Sequence, residues 1–126
     1  AVIPNFINLA LDNENLNIYG NGSQTRDFIH VEDVIDAYLI AIEGNINGVY
    51  NLGCNLQIQI NDLSKTILKK ISTTSKIKYL PSRKGDIKHS QASNKKFFSQ
   101  SSWRPKLTLD DGLDKTINYY KNYKNN

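Results

Sequence analysis

The apolar positions of this chain change period several times, and the changes mark out its elements. Residues 1 to 12 set Val2, Ile3, Phe6, Ile7, Ala10 and Leu11 along one stripe, which predicts an opening helix. Pro4 falls in its first turn, where a missing N–H costs nothing. "LNIYG" predicts a short strand ended by Gly20, and "NGSQ" a turn whose glycine supplies unusual backbone angles. "RDFIHV" predicts a second short extended segment. From Val31 the period lengthens: Val31, Val34, Ile35, Tyr38, Leu39 and Ile42 predict a helix with one buried face, stopped by Gly44. "GVYNLG", bracketed by glycines and apolar in its middle, predicts the strongest strand of the chain. Asn61 reads as a helix cap with Ile60 as its staple, opening "DLSKTILKKI". "KIKYLP" predicts a strand with a solvated face, and residues 93 to 100 a short helix. "WRPKLTLDDGLDKTINYYKNY" closes the chain with a proline-containing connector and an amphipathic helix. Short strands alternating with helices make the expected fold class α/β.

Composition narrows the picture. The 126 residues suit one domain, and 39% hydrophobic content excludes a disordered chain. No apolar run approaches the ~20 residues of a membrane span, and nothing at the start resembles a signal peptide. The single cysteine, Cys54, forms no internal disulfide, so the expected compartment is a reducing cytoplasm, with no membrane partner. His30 and His89 lie far apart and no metal-binding spacing exists, so no metal site is expected. Methionine is absent, even from position 1, and the chain opens inside a helical pattern. The expectation is a piece of a larger protein.

Charge is divided unevenly. Arg26 is the only basic residue among the first 64, which hold eight Asp or Glu, whereas the remaining 62 hold fifteen Lys or Arg against four acids. The lysines scatter over several elements with no nucleic-acid reader motif, so no nucleic-acid partner is expected. The lone cation Arg26, delivered by a glycine turn beside Asp27, has a plain reading as a surface pair with Asp27 or Glu32. Two decoys fail. "GNG" completes neither the GxGxxG nor the GxxxxGK pattern of nucleotide loops. Tyr120 and Lys124 have Tyr-x-x-x-Lys spacing but stand in a polar tail and read as a solvated helix end. Ser23, His30 and Asp33 lack the nucleophile elbow of a hydrolytic triad; His30, Glu32, Asp33 and Asp36 read instead as caps and solvating groups of the following helix.

The segments "IPNFI…LNIYGNGSQTRDFIHVEDV", "GVYNLG", "PSRKGDIKHSQAS" and "LTLDDGL" together resemble the C-terminal portion of the extended short-chain dehydrogenase/reductase family. The similarity is strongest to NAD-dependent nucleotide-sugar epimerases of the UDP-glucose 4-epimerase type, and runs through the whole chain in order. The sequence departs from the family's pattern at "GNG", "GCNLQ" and Ala92-Ser93.

The resemblance implies that residues 1–126 are one nucleotide-sugar-binding C-terminal region. The Rossmann half, with the NAD site and the catalytic Tyr-x-x-x-Lys, is expected outside this chain. It implies a UDP-sugar substrate, NAD as the complete enzyme's cofactor, none held by this chain, and a homodimer formed through the other half. A 4,6-dehydratase or a decarboxylase of nucleotide sugars shares this half and remains an alternative, as does a stand-alone binding module. Arg26 and Arg83 match diphosphate ligands, for which a guanidinium fork suits better than an ammonium. Asp86 matches a ribose-hydroxyl acceptor. Asn17, Ile18 and Tyr19 match the strand that meets the base, and Val2 and Leu56 match apolar contacts to the nucleotide. Ser90 stands where the family flanks the C2 substituent of the hexose, and its small size implies that an N-acetyl group is admitted. Each also has a plainer reading: Arg83 and Asp86 as a loop ion pair, Tyr19 as core packing, and Ser90 as a turn cap.

Overall fold

The computed structural model describes residues 1–124. Helix α1 (Val2–Leu11) leads into strand β1 (Leu16–Tyr19), followed by β2 (Thr25–Arg26), α2 (Val31–Glu43), β3 (Ile58–Gln59), α3 (Ile60–Ile71), β4 (Ile77–Leu80), α4 (Lys95–Phe98) and α5 (Leu109–Lys124). β1 and β4 pair in parallel, Leu16 opposite Ile77 through Tyr19 opposite Leu80. β2 pairs antiparallel with β3, Thr25 opposite Gln59 and Arg26 opposite Ile58. This is a mixed α/β arrangement, as the alternating pattern predicts.

Burial explains why these residues hold these elements. Phe6, Ile7 and Ala10 on α1, Leu16 and Ile18 on β1, Ile60, Leu63 and Ile67 on α3, and Leu113 and Ile117 on α5 form the main core. Because a strand alternates its faces, burying Leu16 and Ile18 turns Asn17 and Tyr19 to the other side. α5 starts with a reciprocal cap: Thr108 Oγ1 accepts from the Asp111 N–H at 3.1 Å and donates to the Asp111 carboxylate at 2.6 Å. A smaller core gathers Ala37, Phe97 and Trp103.

Several expectations are corrected. The apolar stripe of α2 is not its buried face: Val31, Ile35, Tyr38, Leu39 and Ile42 are half or more exposed, while Asp33 and Ala37 on the other side are buried. "GVYNLG" forms no strand, because no described segment pairs with it, and Val49 is 85% exposed. The extended segment at "RDFIHV" shrinks to β2, which ends at Arg26. α3 starts at Ile60 after Gln59, and Asn61 does not cap it. Asn61 instead donates to the Asn21 carbonyl at 2.9 Å and accepts from the Tyr79 hydroxyl at 3.0 Å, pinning the glycine turn to β4. The end of α5 is not merely solvated, since Lys124 bonds Asp12 at 2.6 Å and Tyr120 packs on the main core.

The acids around α2 divide their work. His30 caps the helix, its Nδ1 accepting from the Glu32 N–H at 3.2 Å. Glu32 and Asp36 are tied to Lys115 and Lys106; the Lys115 ammonium holds the Glu32 carboxyl below its ordinary value, and Asp36 raises Lys106. Asp33 is no solvating group: its side chain, 2% exposed, accepts from the N–H groups of Lys106 at 2.9 Å and Leu107 at 3.2 Å. Its own carbonyl accepts from the Trp103 indole at 2.9 Å. A buried carboxylate taking backbone donors fixes the connector that lacked regular structure of its own.

Candidate functional site

The glycine turn and the two small strand pairs place the chemistry. Gly20 and Gly22 have φ of +78° and +75°, the left-handed region that L side chains avoid, so the chain reverses tightly between β1 and β2. A Cβ at Gly22 would lie 1.9 Å from Asn61 Oδ1. The turn therefore serves close packing on α3, feeds a strand and not a helix N-terminus, and does not fit a dinucleotide phosphate.

β2 is flanked on one side by β3 and on the other by residues 88–90. The Thr25 N–H donates to the Lys88 carbonyl at 2.9 Å, and the Ser90 N–H donates to the Thr25 carbonyl at 3.1 Å. His89 Nδ1 shares a 3.0 Å hydrogen bond with the Thr25 hydroxyl. This stitching returns the loop after β4 to β2 and sets Asp86 opposite Arg26. Arg26 Nη2 donates to Asp86 Oδ1 at 2.9 Å, and Nη1 to the Thr25 carbonyl at 2.8 Å. The partner of Arg26 is thus neither Asp27 nor Glu32. Asp27 points away, accepting from the N–H groups of Cys54 (3.1 Å), Asn55 (3.0 Å) and Ala92 (3.2 Å). Consecutive residues on an extended segment face opposite sides, and here one serves a cleft while the other ties two loops together. Burial, with Asp27 and Asp33 nearby, pushes the Cys54 thiol above its ordinary pKa.

The cleft has a volume of about 690 Å³, within the usual range for small-molecule sites. Val2, Asn17, Ile18, Tyr19, Arg26, Arg83 and Asp86 line it together, although the last two are separated in sequence from the rest by β3, α3 and β4. The Arg83 guanidinium carbon lies 3.5 Å from the centre of the Tyr19 ring. Tyr19 is therefore not core packing, and Arg83 and Asp86 are not each other's partners. Leu56 and Ser90 do not line this cleft; both are exposed, Leu56 in the loop before β3 and Ser90 beside Thr25.

Ala1, Asn5, Phe6, Gln24, Ile60, Lys84 and Gly85 also line the cleft and were not singled out from sequence. Gln24 Nε2 donates to the Tyr19 carbonyl at 2.9 Å, closing the turn. Its signal was available: Gln24 stands two residues before Arg26 and so shares its face of the strand. Chemically, two guanidiniums, an ammonium, one carboxylate and an aromatic face suit a phosphate-bearing ligand with an attached ring. No cluster of metal-ligating side chains occurs among the described residues. Ser23, His30 and Asp33 do not converge, since each is engaged elsewhere.

An α/β unit with an arginine-rich cleft assembled from α1, β1, β2 and the loop after β4 is a scaffold for holding anionic ligands. Its relatives handle nucleotide sugars. The family model described as "NAD dependent epimerase/dehydratase family" matches residues 1–53. The chain is 34% identical to UDP-glucuronic acid decarboxylase 1 of Danio rerio over 94% of its own length and 28% of that protein. It is 35% identical, with a TM-score of 0.91, to UDP-N-acetylglucosamine 4-epimerase from Methanobrevibacter ruminantium in complex with UDP-N-acetylmuramic acid. That match covers 98% of this chain and 40% of the epimerase. UDP-glucuronic acid 4-epimerase from Bacillus cereus, in complex with UDP-glucuronic acid and NAD, is 30% identical with a TM-score of 0.88 over 98% of this chain and 40% of its own. Residues 1–53 thus match the NAD-dependent epimerase/dehydratase family, and the chain as a whole has the fold of the corresponding part of its epimerase members. It spans about 40% of the length of these solved relatives.

Proposed function

We propose that residues 1–126 are the nucleotide-sugar-binding region of an NAD-dependent UDP-glucose/UDP-N-acetylglucosamine 4-epimerase. On this reading the region binds the substrate and is not itself catalytic. The observation that carries the proposal is the convergence of Arg26, Arg83, Asp86 and Tyr19 on one cleft. Arg26 and Arg83 hold the diphosphate, Asp86 takes a ribose hydroxyl, and Asn17, Ile18 and Tyr19 meet the base. Val2 adds apolar contact, Leu56 stands outside the cleft and is given no part in it, and Ser90, beyond the cleft beside Thr25, is assigned to the sugar's C2 side, where its small side chain leaves room for an N-acetyl group. When bound, NAD would supply the hydride chemistry at the sugar's C4; this reading assigns it, and the homodimer contact, to chain outside these residues. Binding at the nucleotide end then positions the reacting sugar.

The epimerase relatives, bound to UDP-sugars, support this reading. The identity to the Danio rerio decarboxylase supports a second: the same cleft serving a UDP-glucuronic acid decarboxylase. The test is to supply the natural protein that carries this chain with NAD and each UDP-sugar in turn. Interconversion of both the glucose/galactose pair and the N-acetylated pair is expected. Release of carbon dioxide from UDP-glucuronic acid without epimerisation selects the decarboxylase, and failure to bind any UDP-sugar overturns both readings.

A further inference from the structure

Arg26 is engaged inside the cleft by a group of opposite charge. Its Nη2 donates to Asp86 Oδ1 at 2.9 Å, with the two side chains 26% and 40% exposed. Nη1 donates to the Thr25 carbonyl at 2.8 Å, which restrains the guanidinium beside Asp86. Asp86 is held there by its own loop. The Asp86 N–H donates to the Arg83 carbonyl at 3.3 Å, and Gly85 between them has φ of +85°. A Cβ at Gly85 would meet nothing within 4 Å, so this glycine is needed for the backbone angle that turns Asp86 back toward β2, not for space. Arg83 has a different and weaker restraint, the Tyr19 ring at 3.5 Å.

We propose that Asp86 is a selectivity gate that discriminates nucleoside diphosphates from bare anions, an inference that rests on the nucleotide-binding reading of the cleft. An anion approaching Arg26 must compete with the Asp86 carboxylate for the same guanidinium. Inorganic pyrophosphate offers nothing in exchange: it would leave Asp86 without its donor and next to fresh negative charge. A nucleoside diphosphate carries ribose hydroxyls, and these donate to Asp86 in place of the Nη2 bond that phosphate takes over, while Nη1 stays on Thr25. The penalty therefore falls on ligands that bring charge without hydroxyls. Without the carboxylate, two guanidiniums and Lys84 would form an indiscriminate anion trap in a cell rich in phosphate.

The experiment is calorimetric titration of the natural protein and its Asp86→Asn variant with UDP, 2′,3′-dideoxy-UDP and inorganic pyrophosphate at one ionic strength. Wild type is expected to bind UDP well, dideoxy-UDP more weakly and pyrophosphate least. The variant should gain on the order of tenfold for pyrophosphate, the effect of removing one like charge a few ångströms from the anion. It should also lose its preference for UDP over dideoxy-UDP. Gly85→Ala, which keeps the carboxylate but disturbs its placement, should shift pyrophosphate affinity in the same direction by a smaller factor. A variant that loses UDP affinity while pyrophosphate binding stays unchanged reduces Asp86 to a ribose contact and overturns the gate. If wild type binds pyrophosphate but not UDP, the nucleotide reading of the cleft fails, and the gate with it.

Discussion

Arg26→Ala is the most informative single change to the cleft, because the structure separates its effect on folding from its effect on binding. For folding, the side chain contributes one hydrogen bond to the Thr25 carbonyl and one ion pair to Asp86. Both groups of that pair are partly exposed, so solvent screens it, and the loss should be no more than about 1 kcal/mol. For binding, the same guanidinium would face a desolvated diphosphate, where truncating one charged partner costs roughly 2–4 kcal/mol. That is roughly a 30- to 1,000-fold weakening of UDP affinity. Arg26→Lys should recover only part of it, since an ammonium on a flexible stem cannot keep the Thr25 bond while presenting a planar pair of donors. Lys84→Ala removes a formal charge from the same cleft but no fixed donor, and should change affinity by less than about threefold. Calorimetry with UDP on the natural protein, with thermal unfolding in parallel, measures each effect. Full rescue by lysine, or equal losses for Arg26→Ala and Lys84→Ala, would refute the argument that a positioned fork and not net charge holds the ligand.

Three further outcomes follow from the packing. Asp33→Ala strands the N–H groups of Lys106 and Leu107 in a buried setting, so urea unfolding should show a loss of roughly 3–5 kcal/mol; a loss under about 1 kcal/mol would mean water replaces the carboxylate. Because the Cys54 thiol is raised, it holds less thiolate at any given pH, and its alkylation should be slower than that of an unstructured cysteine at pH 8 with its midpoint moved to more alkaline pH; faster reaction contradicts this. Ile42→Asp, at a position 71% exposed in this chain, should destabilise the natural protein by roughly 2 kcal/mol if flanking chain covers that face, and an effect within about 0.5 kcal/mol would show the face is solvated.

Much of the fold was legible because most elements carry their own period. α1 buries Phe6, Ile7 and Ala10 of its predicted stripe, α3 and α5 form over the segments expected to be helical, and β1 and β4 sit where "LNIY" and "IKYL" place them. Arg26 stood out locally as a lone arginine in an acidic half, whereas Arg83, Asp86 and Tyr19 were nominated by the family resemblance; the structure brings all four to one cleft. Their pairing was not legible. That Arg26 meets Asp86 and Arg83 meets Tyr19 depends on residues 88–90 joining β2, a contact between segments some sixty residues apart that no local pattern encodes. The roles of Asp27 and Asp33 were missed for the same reason: a carboxylate that organises distant backbone N–H groups looks, in sequence, like any surface acid.

The two failed expectations at α2 and "GVYNLG" share one cause, and it bears on how the cleft works. Hydrophobic periodicity reports which face of an element is designed for burial, not what buries it. Val31, Ile35, Tyr38, Leu39 and Ile42 keep a helical apolar stripe that stays exposed, and residues 48–53 keep the composition of a buried strand, yet only Tyr50, Leu52 and Gly53 are covered, in whole or part, and Val49 stands in the open. The arginine cleft, by contrast, is assembled from Ala1 and α1, β1, Gln24 and β2, the start of α3 and the loop after β4. These two surfaces meet at Asp27, whose backbone follows Arg26 directly while its carboxylate holds the N–H groups of Cys54, Asn55 and Ala92 just beyond the apolar segment. A partner packed on residues 48–53 would therefore act on the position of Arg26 through one carboxylate and a single peptide unit. On that geometry, Asp27→Asn should weaken UDP binding without removing any group that lines the cleft. The loss should be smaller than for Arg26→Ala, and an unchanged UDP affinity would show that the two surfaces are mechanically independent.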